Sequence, residues 1–143
     1  MSEESTTPDL VELLRRVRGA ANRRDFDAML SFFAPDAVLE NAEGLGTFEG
    51  KAAIRRFWQD WFASFEELWV ARDEALDLGN GVGFSVVMSK AHLVGGSGEV
   101  RQRNAVVGEW ADGLIVRMTL YTDIDKARAA AERLAEERAQ ADA

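Results

Sequence analysis

Apolar residues recur at steps of three and four along the first part of the chain and at every second position afterwards, so helices come first and strands follow. Leu10, Leu14, Val17 and Ala21 share one face of a helix over 7–23, and Arg15, Arg16 and Arg18 occupy its other side. Thr7-Pro8-Asp9 starts it, with proline at the first helical position and an acid near the positive end. A second short helix from Asp25 turns Phe26, Met29, Leu30 and Phe33 inward and stops at Ala34-Pro35. Residues 36–41 form a short strand, the link Glu43-Gly44-Leu45-Gly46 follows, and 47–49 form a second strand fragment. Gly50 opens a third helix over 51–65, where Ile54, Phe57, Trp58, Trp61, Phe62 and Phe65 make a broad apolar stripe, the largest aromatic concentration in the chain.

From Glu66 the period becomes two, and strands are expected over 68–78, 82–94, 100–110 and 114–122. Gly79-Asn80-Gly81, Gly95-Gly96-Ser97-Gly98 and Asp112-Gly113 separate them, which makes an antiparallel meander. The tail from Ile124 is a helix capped by Asp123; its thin apolar face places it on the surface or against a partner chain. The expected organisation is a disordered start over 1–7, one domain over 8–123 and a C-terminal helix over 124–143.

Composition narrows the chemistry. A chain of 143 residues, 47% of them hydrophobic, is the size of one domain with one core. A net charge of -8 repels phosphate backbones and anionic membrane surfaces, so neither nucleic acid nor membrane is an expected partner. Cysteine is absent, which excludes disulfides, thiolate metal sites and cysteine nucleophiles, and His92 is the one histidine, expected on the outer sheet face. No metal and no cofactor is therefore expected. No apolar run approaches the ~20 residues of a membrane span, and MSEESTTPDL lacks the basic start and apolar core of a signal, so a cytoplasmic location is expected.

Four segments carry a resemblance. They are Ala21-Asn22-Arg23-Arg24-Asp25-Phe26-Asp27-Ala28-Met29, Phe33-Ala34-Pro35-Asp36-Ala37-Val38, Phe48-Glu49-Gly50-Lys51-Ala52-Ala53-Ile54-Arg55-Arg56-Phe57-Trp58, and Asp112-Gly113-Leu114-Ile115-Val116 with Tyr121-Thr122-Asp123. With the element order, they resemble the nuclear transport factor 2 superfamily, in its SnoaL-like and ketosteroid-isomerase-like branch. The resemblance implies an α+β fold, a cone in which a curved mixed sheet wraps three N-terminal helices around a pocket. It also implies a homodimer through the outer sheet face. It does not fix the activity, because this fold hosts isomerases, cyclases and epoxide hydrolases alike.

The residues at the family's catalytic positions depart from its patterns. Where a ketosteroid isomerase keeps its proton-transferring carboxylate this chain has Asn41, whose amide carries no basic lone pair. The oxyanion tyrosine falls at Val17, its supporting tyrosines at Phe33 and Trp58, and the second acid near Val106. Of the limonene epoxide hydrolase set only the asparagine matches, at Asn41; the other positions read Leu39, Val87, Ser89 and Leu120. Leu120 also tells against a SnoaL-type cyclase, which depends on an acid in that last strand. Whether the chain is an enzyme stays open; as one, it would be isomerase-, cyclase- or epoxide-hydrolase-like and not a standard ketosteroid isomerase.

The expected ligand is a hydrophobic small molecule of polyketide, terpenoid or steroid type. Asn41 would hold a carbonyl or hydroxyl, helped by Ser89, Asn104 and Thr122 where alternation turns them inward, with Val17, Phe33, Leu39, Trp58, Trp61, Phe62, Val87, Met118 and Leu120 as walls. The competing reading is a non-catalytic dimerisation module in which the same aromatics fill the interior and Asn41 only satisfies backbone groups at a strand end. Among the acids, Glu40, Glu66, Glu67, Asp73 and Glu74 are expected near the pocket mouth, Glu40 on the face opposite Asn41.

Overall fold

In the computed structural model, residues 10–42, 44, 46–93, 95 and 98–141 are described, without the side chains of 65–73 and 93. The elements run α1 (Leu10–Asn22), α2 (Phe26–Leu30), β1 (Phe33–Asn41), β2 (Gly46–Glu49), α3 (Lys51–Ala63), β3 (Phe65–Asp77), β4 (Val82–Leu93), β5 (Val100–Ala111), β6 (Leu114–Tyr121) and α4 (Ile124–Ala141). The six strands form one curved sheet in the order β2-β1-β6-β5-β4-β3, antiparallel except where β1 runs parallel to β6. The fold is thus the expected α+β class. The expected helix start at Thr7-Pro8-Asp9, the disorder over 1–7 and most of the turn over 95–98 fall outside the described residues.

Two boundaries differ from expectation. The second helix ends at Leu30, and Phe33 and Ala34 already belong to β1. The reason is steric: the residue before a proline is pushed toward extended backbone, and in that state Phe33 pairs with Ile115 and is 1% exposed. The first strand therefore begins at Phe33 and carries Pro35 within it. At the other end of the helical half, α3 stops at Ala63 and β3 starts at Phe65, earlier than the alternation signals, with register irregularities at Phe65/Glu67 and Arg72/Glu74.

The tail is the larger correction. Asp123 caps α4 through its side chain, which accepts from the Lys126 amide. The helix does not lie free: Ala127 and Ala131 are fully buried and Ala135 nearly so, packed with Val82, Phe84, Val86, Ala105 and Val107 on the outer face of the chain's own sheet. Alanines four apart let the helix axis approach the strands closely, so a stripe that looks thin is enough to seal a sheet. A homodimer through the outer face would meet α4, not bare strands, over this strip. Polar contacts fasten the helix at both ends. Arg128 pairs with Glu74 and lies over the Phe84 ring, while Arg138 donates to the carbonyls of Gly81 and Trp110 and Asn80 donates to that of Ala135. Gly81 is required in this joint, because at φ 79° an added Cβ would lie 2.6 Å from the Trp110 carbonyl oxygen.

Candidate functional site

Strand pairing sorts every residue of the sheet onto one of two faces. Leu39 and Met118, partners across β1 and β6, are buried in a cluster with Leu10, Leu13, Leu30 and Ile54, which defines the helix-facing side. From these partners a first row runs Leu39, Met118, Gly108, Gly83. The next row on the same face runs Asn41, Leu120, Val106, Ser85, Ala75, and the one beyond it holds Asn104 and Val87.

The rows differ in how they are filled. In the first, an added Cβ on Gly83 would come within 3.0 Å of Leu10 Cδ2, and one on Gly108 within 3.1 Å of Trp110 Nε1. The two glycines, opposite each other in the ladder, let α1 and the Trp110 indole settle directly on the backbone, so this end is packed solid. The second row introduces polar atoms, Asn41 at one edge and Ser85 at 6% exposure between β3 and β5. In the third row Val87 and Asn104 are half-buried, and among the described residues Val87 packs against none of the three buried clusters.

Aromatic side chains from α3 pack on this face. Phe57 packs at a tilt against Phe48 at 4.8 Å, meets Trp58 edge-on at 5.0 Å and lies parallel to Trp61 at 6.4 Å. Trp58 packs against both the Leu39 cluster and a second one, made by Ala20, Ala21, Met29, Phe62 and Ala91. Phe62 belongs to that second cluster, edge-on to Phe26 and beneath the Arg24 guanidinium.

Each expected site residue can now be placed. Phe33, Leu39 and Met118 are core members; Val17, Trp58 and Leu120 are half-buried against the same cluster. Trp61 and Phe62 pack together with the helices α1 and α2, not with the Leu39 group. Asn41, Val87 and Asn104 share the helix-facing side by register, and so does Ser89, paired with Gln102 and flanked on its own strand by Val87 and the buried Ala91. Thr122 is a correction: β6 ends at Tyr121 and Thr122 is exposed beyond it. Alternation applied evenly along β4 would also have included Ser85, which has the parity of Val87 and Ser89.

No charged side chain among the described residues is buried. Glu40 accepts from Arg117 and Glu74 from Arg128, both on the outer face, so Glu40 lies opposite Asn41 as alternation required; the side chains of Glu66, Glu67 and Asp73 lie outside the described set. His92 alternates with the buried Ala91 and takes the outer side. Among the described residues no cluster of histidine and acids has metal-binding geometry, and no helix is long and apolar enough to cross a membrane. Three atoms on the helix-facing side have no hydrogen-bond partner although solvent does not reach them: Trp58 Nε1, Asn104 Oδ1 and, over Gly108, Trp110 Nε1.

Comparison with known proteins agrees with this architecture. An NTF2-like protein of unknown function from Burkholderia pseudomallei superimposes with a TM-score of 0.71 at 20% identity, covering 85% of this chain and 95% of that one. A Catenulispora acidiphila protein with a ketosteroid isomerase-like fold, in complex with trimethylamine, gives 0.72 at 17% identity over 88% and 94%. A Mycobacterium tuberculosis protein in complex with estradiol-17beta-hemisuccinate gives 0.67 at 20% identity over 80% and 94%. At such identities the likeness is one of fold, which is the ketosteroid isomerase-like fold of the NTF2-like superfamily. No curated protein matches the chain. The family profile of the SnoaL-like domain matches residues 14–118, and the chain belongs to that family.

Proposed function

We propose that this SnoaL-like domain binds a hydrophobic small molecule of polyketide, terpenoid or steroid type between the aromatic face of α3 and the second and third rows of the sheet. The observation that carries the reading is the gradient across one sheet face. Glycines and Trp110 fill the first row, while the rows beyond hold isolated polar groups among apolar side chains, the composition that a site for an oxygen-bearing apolar ligand needs. Asn41 sits at the edge of the second row beside Leu39 and Leu120, where its amide orients a ligand oxygen. Trp58, Val17, Met118 and Leu120 provide apolar contact. That a fold neighbour holds a steroid hemisuccinate supports the ligand class. With an amide in the first strand and no described acid buried on this face, binding is the activity proposed here, not proton transfer.

The test is a thermal-shift screen of the native protein against apolar polyketides, terpenoids and steroids. Binding members raise the melting temperature, and the rise is lost in Asn41→Leu and in Trp58→Ala. A native protein silent across all three classes refutes the reading and favours a domain whose interior is closed by its own side chains.

A further inference from the structure

The chain is acidic, yet its charge is unevenly placed. Residues 13–24 hold five of the 17 basic side chains and none of the 25 acids. Arg15, Arg16, Arg23 and Arg24 are exposed. Glu12 serves both Arg15 and Arg16, and Arg23 has no acid partner among the described residues. Like charges one turn apart on a helix repel, so this face gains when an anionic group is laid on it.

Two backbone features fall on the same surface. Gly19 stands inside α1, where only proline is less favourable than glycine, on the side of the helix away from the buried Leu10 and Ala21. Packing among the described residues does not demand it: an added Cβ would meet Arg23 Nη1 alone, at 3.4 Å, the far end of a flexible side chain. Arg15, Arg16 and Arg23 are each one turn from this gap. Arg24 follows the helix at φ 57°, with its own amide and that of Asp25 returning to the carbonyls of Ala21 and Ala20, a closure at which glycine is the usual residue. Its guanidinium is held 5.0 Å over the Phe62 ring with Nη1 3.5 Å from the Phe62 carbonyl oxygen, which occupies one of five N–H donors. Within six residues, then, a glycine stands where alanine would hold the helix better, and an arginine stands where glycine would close it better.

We propose that this face of α1 docks an acidic helix of another protein, crossing at Gly19. A residue without a side chain at the crossing lets the two helix axes come close. The guanidinium groups around it then take carboxylates in two-pronged pairs. The extent of the face fits a helix better than a larger polyanion. From Arg15 to the helix end at Asn22 α1 rises about 10 Å. A short helix laid across it stays within about one screening length of the arginines, on the order of 8 Å, whereas a bilayer or a duplex extends past them and meets the acidic remainder of the chain. A second copy of this chain offers a poorer match, because the exposed residues of α4 mix Asp125, Glu132, Glu136 and Glu137 with Lys126 and Arg133.

The experiment titrates the full chain, by fluorescence anisotropy, with a labelled alanine-rich helix of about five turns bearing glutamates along one face, and with the same helix bearing glutamines. At about 50 mM salt the glutamate helix is expected to bind at least about tenfold more tightly than the glutamine helix, and to weaken as salt rises. Arg23→Glu and Gly19→Leu should each lower that affinity about tenfold or more. Gly19→Leu changes no charge and brings in a better helix former, so its melting temperature should hold or rise, which separates a blocked crossing from a damaged fold. Arg133→Glu, on α4 across the sheet, makes the same change of net charge as Arg23→Glu and should leave the affinity within about twofold. A glutamate helix bound no better than the glutamine one, equal losses in Arg23→Glu and Arg133→Glu, or unchanged binding in Gly19→Leu overturns the proposal. Capture of the native protein by phosphatidylserine vesicles, or a self-association in sedimentation that Arg23→Glu dissolves, overturns it as well, by giving the face to a membrane or to a second copy.

Discussion

The outer face of the sheet is covered by α4 with small side chains and polar pairs at its margins: Ala127, Ala131 and Ala135 lie on Val82, Phe84, Val86, Ala105 and Val107, and Glu74, Asn80 and Arg138 all have partners. The helix-facing side is covered by aromatic rings and keeps three buried polar atoms unpaired. Among the described residues, then, the buried unpaired polar atoms all lie on one face of the sheet. Unpaired buried atoms cost a fold stability, and the face that keeps them is the one on which ligand binding is proposed.

The largest effect should come from disturbing the outer face. Ala131 is 0% exposed between helix and strands, and Ala131→Leu must push α4 off the sheet or force rotamers into strain. Urea unfolding should show a loss of about 1–3 kcal/mol, the usual cost of overpacking. A loss near zero would mean that α4 is held loosely and that the two faces are not so different.

On the other face a substitution of similar bulk should act with the opposite sign. Asn104→Leu removes an unpaired acceptor and adds apolar contact beside Val87 and Val106, and should raise the stability of the ligand-free protein by about 1 kcal/mol. A structural asparagine, held for its hydrogen bonds, would lose about as much. Measured in the same urea titrations, the pair of signs decides whether the contrast between the faces is real.

Much of this was legible in the chain. Periodicity gave the helices and the meander because each element's burial pattern is local, whereas alternation left Ser89 and Asn104 inward only on a condition that strand pairing had to supply, because a period of two does not fix register. The missed features depend on what elements do to one another. Pro35 signalled extended backbone at Ala34, but only pairing with β6 shows that Phe33 gains burial by joining the strand. The alanines of α4 carry little hydrophobic signal in isolation; their value is the close approach they permit to Phe84 and Val107. Thr122 obeys the alternation but lies past the last ladder pair. The unpaired state of Trp58 and Asn104 is not a property of either residue, since it depends on what the neighbouring helix and strands fail to offer.

The smallest expected effect belongs to neither face and so calibrates the other two. On the exposed side of α1, Glu12 accepts from Arg15 and Arg16, and these hydrogen bonds, Arg15's foremost, hold its carboxyl at about 2 against an ordinary 4.5. A carboxyl lowered on folding stabilises the protein above its unfolded value, and that contribution is lost as pH falls through the ordinary carboxylate range toward about 2. Because the group is open to solvent, the contribution is slight and weakens further in salt. Melting temperatures of native protein and Glu12→Gln should differ slightly at pH 6 and converge near pH 2. A difference at pH 6 as large as the loss in Ala131→Leu would mean that surface ion pairs weigh as much as the packing of α4, and the contrast between the two faces would lose its scale.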